Sequence, residues 1–125
     1  MMSILARAAG VAACLGVLSA CAPAAPPLLP LKATAKIGRL MLAVTNDSSD
    51  DWHAITVTVR TAAGGTAYRH SFPRLDPRAT EQIPLVDFVN SKGERFTPLT
   101  LSVHHFTVDA STPDGPASVM FEGNQ

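Results

Sequence analysis

The chain predicts an all-β fold, a single small β-sandwich, and three observations carry that prediction. From about Ala35 onward, apolar and polar residues alternate in short runs, the period-2 pattern of strands with one buried face. Clusters of Asn, Asp, Ser, Gly and Pro separate the runs and supply turn chemistry. After residue 20 no stretch carries the 3.6-residue period of a convincing helix.

In the first strand Leu40, Leu42 and Val44 share one face and Arg39, Met41 and Ala43 the other, until Asn46-Asp47-Ser48-Ser49-Asp50-Asp51 breaks the chain. The second places Ile55, Val57 and Val59 inward and Thr56, Thr58 and Arg60 outward. Ala63-Gly64-Gly65 tolerates positive φ and predicts a hairpin into a third strand, which carries Tyr68, His70 and Phe72 on one face. Pro73 and Asp76-Pro77 are expected to end it. A fourth run, Ala79 to Leu85, buries Ile83 and Leu85, with Pro84 marking an edge or a strand end because it cannot donate to a ladder. Asp87 to Phe96 is an excursion whose Phe88, Val89 and Phe96 fold back on the core around a Ser91-Lys92-Gly93 turn. The fifth strand, Leu99 to Val103, has the strongest alternation and is rich in β-branched residues. Phe106 and Val108 have the opposite parity, so a bulge near His104-His105, or burial of both faces, is required. Pro113-Asp114-Gly115-Pro116 turns the chain into a last strand with Val119 and Phe121. Together these read as a small immunoglobulin-like β-sandwich of about six to seven strands. Without a disulfide or a well-placed core tryptophan, a true antibody-type domain is not expected; Trp52 sits at a loop-to-strand junction.

Ahead of the domain the composition changes. Arg7 leads into the apolar run Ala8 to Ala20, too short for the ~20 residues of a spanning helix and ending in small residues, as a cleaved signal does. Leu18-Ser19-Ala20-Cys21 closes it and resembles the lipobox of bacterial lipoproteins. That resemblance implies that Cys21 becomes the lipid-modified first residue of the mature chain, carrying palmitate-type acyl chains. Each buried acyl methylene contributes about 0.8 kcal/mol, so three chains would anchor it firmly. Ala22 stands where inner-membrane retention in the family typically shows Asp, so the resemblance favours the outer membrane, with the domain facing the periplasm or the surface. Residues 1–20 then form the signal peptide helix, 21–34 the lipidated cysteine with a Pro-rich linker, and 35–125 the sandwich. Pro23, Pro26, Pro27 and Pro30 favour extended backbone, and at ~3.1 Å per residue Ala22 to Lys32 reaches some 30 Å.

The mature charge is near neutral: ten Lys plus Arg, less Arg7, against ten Asp plus Glu. No basic patch points to nucleic acid. Both cysteines, Cys14 and Cys21, fall in the signal and anchor, leaving no disulfide for the fold. Thr45-Asn46-Asp47 with Trp52, Leu75-Asp76-Pro77, and Phe88-Val89 with Gly93 and Phe96 resemble small bacterial β-sandwich modules of the FxLYD-like kind over residues 37 to 122. The resemblance implies a binding or extracellular structural element and no reaction.

No Gly-x-Ser-x-Gly elbow frames a nucleophile and no carboxylate pair stands out, so an enzyme is not expected. The expected role is a non-catalytic binding or structural module, anchored through its lipid and engaging an envelope protein or wall polymer without a cofactor. Trp52, with Tyr68 and Arg69, is the candidate interaction patch; core packing of both aromatics is the competing reading. The alternative role is a metal or small-ligand carrier. Asp47, Asp50 and Asp51 offer hard oxygen donors for calcium but match no EF-hand spacing and suit a solvated turn. His53, His70, His104 and His105 offer nitrogens for a transition metal. On a strand His104 and His105 point to opposite faces and need a bulge to share an ion, while cross-strand pairing with His70, or a soft ligand from Met41 or Met120, is conceivable.

Overall fold

A computed structural model describes residues 28–62 and 65–124, and among them the chain is an all-β sandwich of two sheets. Its strands are β1 (Leu29–Pro30), β2 (Ala33–Ile37), β3 (Met41–Asn46), β4 (Trp52–Arg60), β5 (Ala67–Leu75), β6 (Thr80–Pro84), β7 (His105–Thr112) and β8 (Gly115–Glu122). The larger sheet has the order β1-β8-β7-β4-β5 and the smaller β2-β3-β6; every pairing is antiparallel except β1 with β8. The signal segment, Cys14, Cys21, Ala63 and Gly64 lie outside the described residues.

The alternation seen in the sequence becomes the core. Leu42 and Val44 of β3 and Ile83 of β6 face Ile55, Val57 and Val59 of β4, with Phe106 and Val108 of β7 beside them, all fully buried. Phe106 stacks on Phe121 across the β7–β8 pair at 5.2 Å. Phe88 and Phe96 fold back onto the core as expected, and Tyr68 meets Phe96 edge to face at 5.3 Å. Val89 instead stays at the surface, where its backbone exchanges two hydrogen bonds with Arg69 (2.7 and 3.1 Å). The excursion thereby covers part of the open edge of β5, which would otherwise template pairing with another chain. At its tip Gly93 adopts φ 79° and its N–H donates to the Asn90 carbonyl.

Five expectations need correction. Leu99 to Val103 is not a strand. Thr97-Pro98 opens a turn in which the N–H groups of Thr100 and Leu101 donate to the Thr97 carbonyl (3.0 and 2.9 Å) while the Thr97 and Thr100 hydroxyls bond each other, and donors satisfied locally are withdrawn from a ladder. Leu99 is consequently 74% exposed. Pro73 does not end β5, because β5 is an edge strand where a missing N–H costs no ladder bond. Leu40 lies in the bend before β3 and is exposed, and Thr58, expected outward, is buried. The bulge expected near His104-His105 is not there, because Leu99 to Val103 is no strand whose parity must be matched; a register shift falls instead in β4, where His53 pairs with Ser111 and Thr56 with Asp109, so Ala54 and Ile55 together face Ala110.

The N-terminal segment enters the sandwich before residue 35. Leu29 pairs with Ala117 in the larger sheet, Leu31 is buried, and Ala33 pairs with Asn46 in the smaller one. One short stretch thus stitches both sheets together, and the reach from Cys21 to the sheet is confined to residues 22–28, about 22 Å if extended.

Both crossings on this side of the sandwich converge on Asn46, a fully buried polar residue. Its side-chain N–H group donates to the carbonyls of Asp50 (2.8 Å) and Leu75 (3.1 Å), and its side-chain oxygen accepts from the Ser48 N–H and hydroxyl. Its backbone donates to Ala79 and accepts from Arg78. Replacing Asn46 with Ala leaves the buried Leu75 carbonyl without its donor and frees the Asp47–Asp51 loop. Loss of about 3 kcal/mol is expected, read as a lower urea midpoint with an unchanged m-value.

Candidate functional site

Trp52 is the side chain whose position was least legible, and local backbone geometry decides it. Along β4 it shares even parity with Thr56, yet it is 1% exposed. The bulge supplies the missing half-period. Ala54 takes φ 50°, a conformation costing an L-residue about 1–2 kcal/mol, and the extra residue re-aims what precedes it toward the core. β5 switches parity with its neighbour: the pairs Ile55–Phe72 and Trp52–Leu75 both turn inward.

The aromatic patch therefore does not form. Trp52 pairs with Leu75 at one end of the β4–β5 ladder, and Tyr68 pairs with Val59 near the other. Both rings are buried, and Arg69 faces solvent beside Tyr68 with no connection to Trp52. Trp52 instead closes the floor of a shallow groove of ≈ 440 Å³ flanked by Leu29, Lys32, Ser48, Asp50 and Asp114.

The acidic loop is engaged by the protein itself. Thr34 donates its hydroxyl to the Asp47 carboxylate, and Arg74 reaches both Asp51 (2.8 Å) and Asp76 (2.9 Å). Arg78, at φ 65° after Pro77, donates its guanidinium to the Asp47 carbonyl and its N–H to Asn46. Asp50 contributes through its backbone carbonyl, which accepts from Asn46 and Ser48. The loop thus braces the crossing between sheets, and its three carboxylates do not converge. Among the described residues no three His, Cys, Asp or Glu side chains are grouped to hold a metal ion.

The histidines separate by environment. His53 is exposed on β4, and His70 packs its ring against Phe88 at 5.6 Å. His104 and His105 come together: their Nδ1 atoms are 2.9 Å apart and the rings meet edge to face. The period-2 argument fails for this pair because His104 lies in the bend before β7 and only His105 is in the strand. Its backbone is pinned on both sides, the N–H donating to Arg60 (2.8 Å) and the carbonyl accepting from Gly123 (2.9 Å). A Cβ on Gly123 would lie 1.8 Å from the Val103 oxygen, so only glycine permits this approach.

These features divide the molecule into two ends. Leu29 enters beside the Pro113-Asp114 turn and the Ser48–Trp52 loop. At the other end lie the Gly38–Leu40 bend, the Thr97–Ser102 turn, the His104–His105 pair and Asn124, whose side chain donates to the Gly38 carbonyl. That end exposes Leu40 and Leu99. Comparison of the chain with family models, curated proteins and solved structures finds no match.

Trp52→Ala is expected to cost about 3–5 kcal/mol by emptying a core position, seen as a large drop in thermal midpoint. Gly123→Ala should cost about 1–3 kcal/mol by forcing the backbones apart, with amide exchange accelerated at Val103, His104 and Asn124 in particular.

Proposed function

We propose that this chain is a lipid-anchored, non-catalytic module of the bacterial cell envelope, held by Cys21 on the outer membrane and presenting the far end of its sandwich to an envelope protein or wall polymer. The observation that carries the reading is the polarity of the domain. The N-terminal segment joins the sheets at the Pro113-Asp114 end, while Leu40 and Leu99 project from the opposite end. Leu28 and Leu29 are exposed beside the tether itself, where the anchor lies, so Leu40 and Leu99 are among the exposed apolar side chains left for a partner on the far side, since apolar groups left in water gain most from such contact. The lipobox-like Leu18-Ser19-Ala20-Cys21 supports the anchor. A two-sheet sandwich is also what the FxLYD-like resemblance implies, and such modules are regarded as binding or structural elements. Near-balanced charge supports contact through shape and apolar surface over electrostatic steering.

Intact-mass spectrometry of membrane-extracted protein tests the anchor. The expected mass is that of a chain beginning at Cys21 with three acyl chains, and Cys21→Ser should abolish both the added mass and the membrane fraction. An unmodified, freely soluble wild-type product would overturn it. For the presented end, Leu40→Glu with Leu99→Glu should leave the thermal midpoint nearly unchanged, because both side chains are exposed, and should eliminate crosslinks from this end to envelope partners.

A further inference from the structure

Among the described residues, the His104–His105 pair is a cluster of metal-ligating side chains that the fold brings together without using it for packing. His104 is exposed and His105 half-buried, and their mutual contact is the hydrogen bond between the two Nδ1 atoms. Two neutral imidazoles can share one proton in this way, but the same two nitrogens can also hold one ion. The separation selects which kind. With metal–nitrogen bonds of about 2.0–2.1 Å, nitrogens 2.9 Å apart subtend an angle of about 90° at the ion, whereas the tetrahedral angle would need about 3.3 Å. A right angle is the cis relation of square-planar and tetragonal sites, the geometry of Cu(II) and Ni(II), and Cu(II) stands highest in the affinity order for nitrogen and oxygen donors.

Further donors lie beside the pair, on a face that also carries Arg60, the partner of His105 on the β4 side. Glu122 pairs directly with His105 across the β7–β8 ladder, so both side chains leave the same face of the sheet at adjacent positions. Glu122 is exposed and free of an ion pair among the described residues. Met120 lies on that face two residues before it, and the histidines, Met120 and Glu122 line one open depression. The His104 backbone is fixed by its bonds to Arg60 and Gly123, and the bond between the two Nδ1 atoms holds the imidazoles together before any ion arrives, which lowers the ordering cost of chelation.

We propose that His104 and His105 chelate one Cu(II) ion through their Nδ1 atoms, with the Glu122 carboxylate swinging across the strand pair as third ligand and water completing a tetragonal shell. Coordination moves the shared proton from Nδ1 to Nε2 of the same ring, so each imidazole stays neutral and no proton is released by the pair. The inference is independent of the lipid anchor, since it depends only on β7, β8 and the bend before them.

Continuous-wave electron paramagnetic resonance on the full chain tests it, with Cys14→Ser and Cys21→Ser introduced to remove thiol chemistry and one equivalent of Cu(II) supplied from a glycine buffer. The expected spectrum is a single tetragonal Cu(II) species with hyperfine splitting from two imidazole nitrogens. His104→Ala and His105→Ala should each weaken binding by on the order of tenfold or more, equivalent to at least ~1.4 kcal/mol, while His53→Ala and His70→Ala leave it unchanged. Glu122→Gln should alter the parallel g and hyperfine values without removing the nitrogen splitting; an unaltered spectrum overturns the carboxylate ligand. Retention of Cu(II) by the glycine, or equal binding by the His104→Ala/His105→Ala variant, overturns the site and leaves the pair as a hydrogen bond between imidazoles. Should His105→Ala fail to fold, His104→Ala carries the test alone, because its ring is exposed and bonds only His105 among the described residues.

Discussion

The hydrogen-bonding of Asn46 is the constraint on which the sandwich depends. Two sheets face each other across an apolar core that has no directional preference of its own, so something polar must fix where the chain crosses between them. Asn46 ends β3 in the smaller sheet, and its amide binds carbonyls from the start of the next crossing and from the end of β5 in the larger one. Its backbone completes the turn that leads to β6. Every polar group of this buried residue is matched, which is the condition under which a buried polar residue specifies structure. Arg78 is held at positive φ by bonds to the same corner.

A second device follows from the first. With β3 and the end of β5 pinned at Asn46, the β4–β5 ribbon has to bend over the core, and it does so at Ala54. The bulge brings Trp52 and Leu75 inward beside the corner that Asn46 organises. Three of the four prolines in the described strands, Pro30, Pro73 and Pro84, lie on edge strands, where their missing N–H groups break no ladder and discourage pairing with other chains; the fourth, Pro116, stands at the start of β8. The large residues thus sit inside, and the open edges carry residues that resist extension.

The N-terminal segment links this architecture to its proposed setting. Because β1 joins the larger sheet and β2 the smaller, a pull transmitted from the tether is shared by both layers and by the buried Leu31 between them. Leu40, Leu99 and the His104–His105 pair lie together at the opposite end. A domain built in this way separates attachment from presentation by the length of its strands, with no hinge required.

The sequence by itself determined the all-β class, most of the inward faces of β3, β4 and β6, the β4–β5 and β7–β8 hairpins and the return of Phe88 and Phe96 to the core, because alternation and turn chemistry are local properties of the chain. Parity along β4 would place Trp52 outward with Thr56, and only the bulge at Ala54, a feature of strand pairing, turns it to the core. The Leu99–Val103 segment misled as well: its alternation is good, but the Thr97-Pro98 turn satisfies its donors before a partner strand can. Only the tertiary structure decided that Leu29–Ile37 serves both sheets, that Asn46 is a buried hub instead of a loop residue, and that His104 and His105 meet. Each of these rests on contacts between residues far apart in the chain, such as Asn46 with Leu75, Leu29 with Ala117 and His104 with Gly123. Such contacts are set by which strands pair and at what register, and that choice is made by the packing of the whole core.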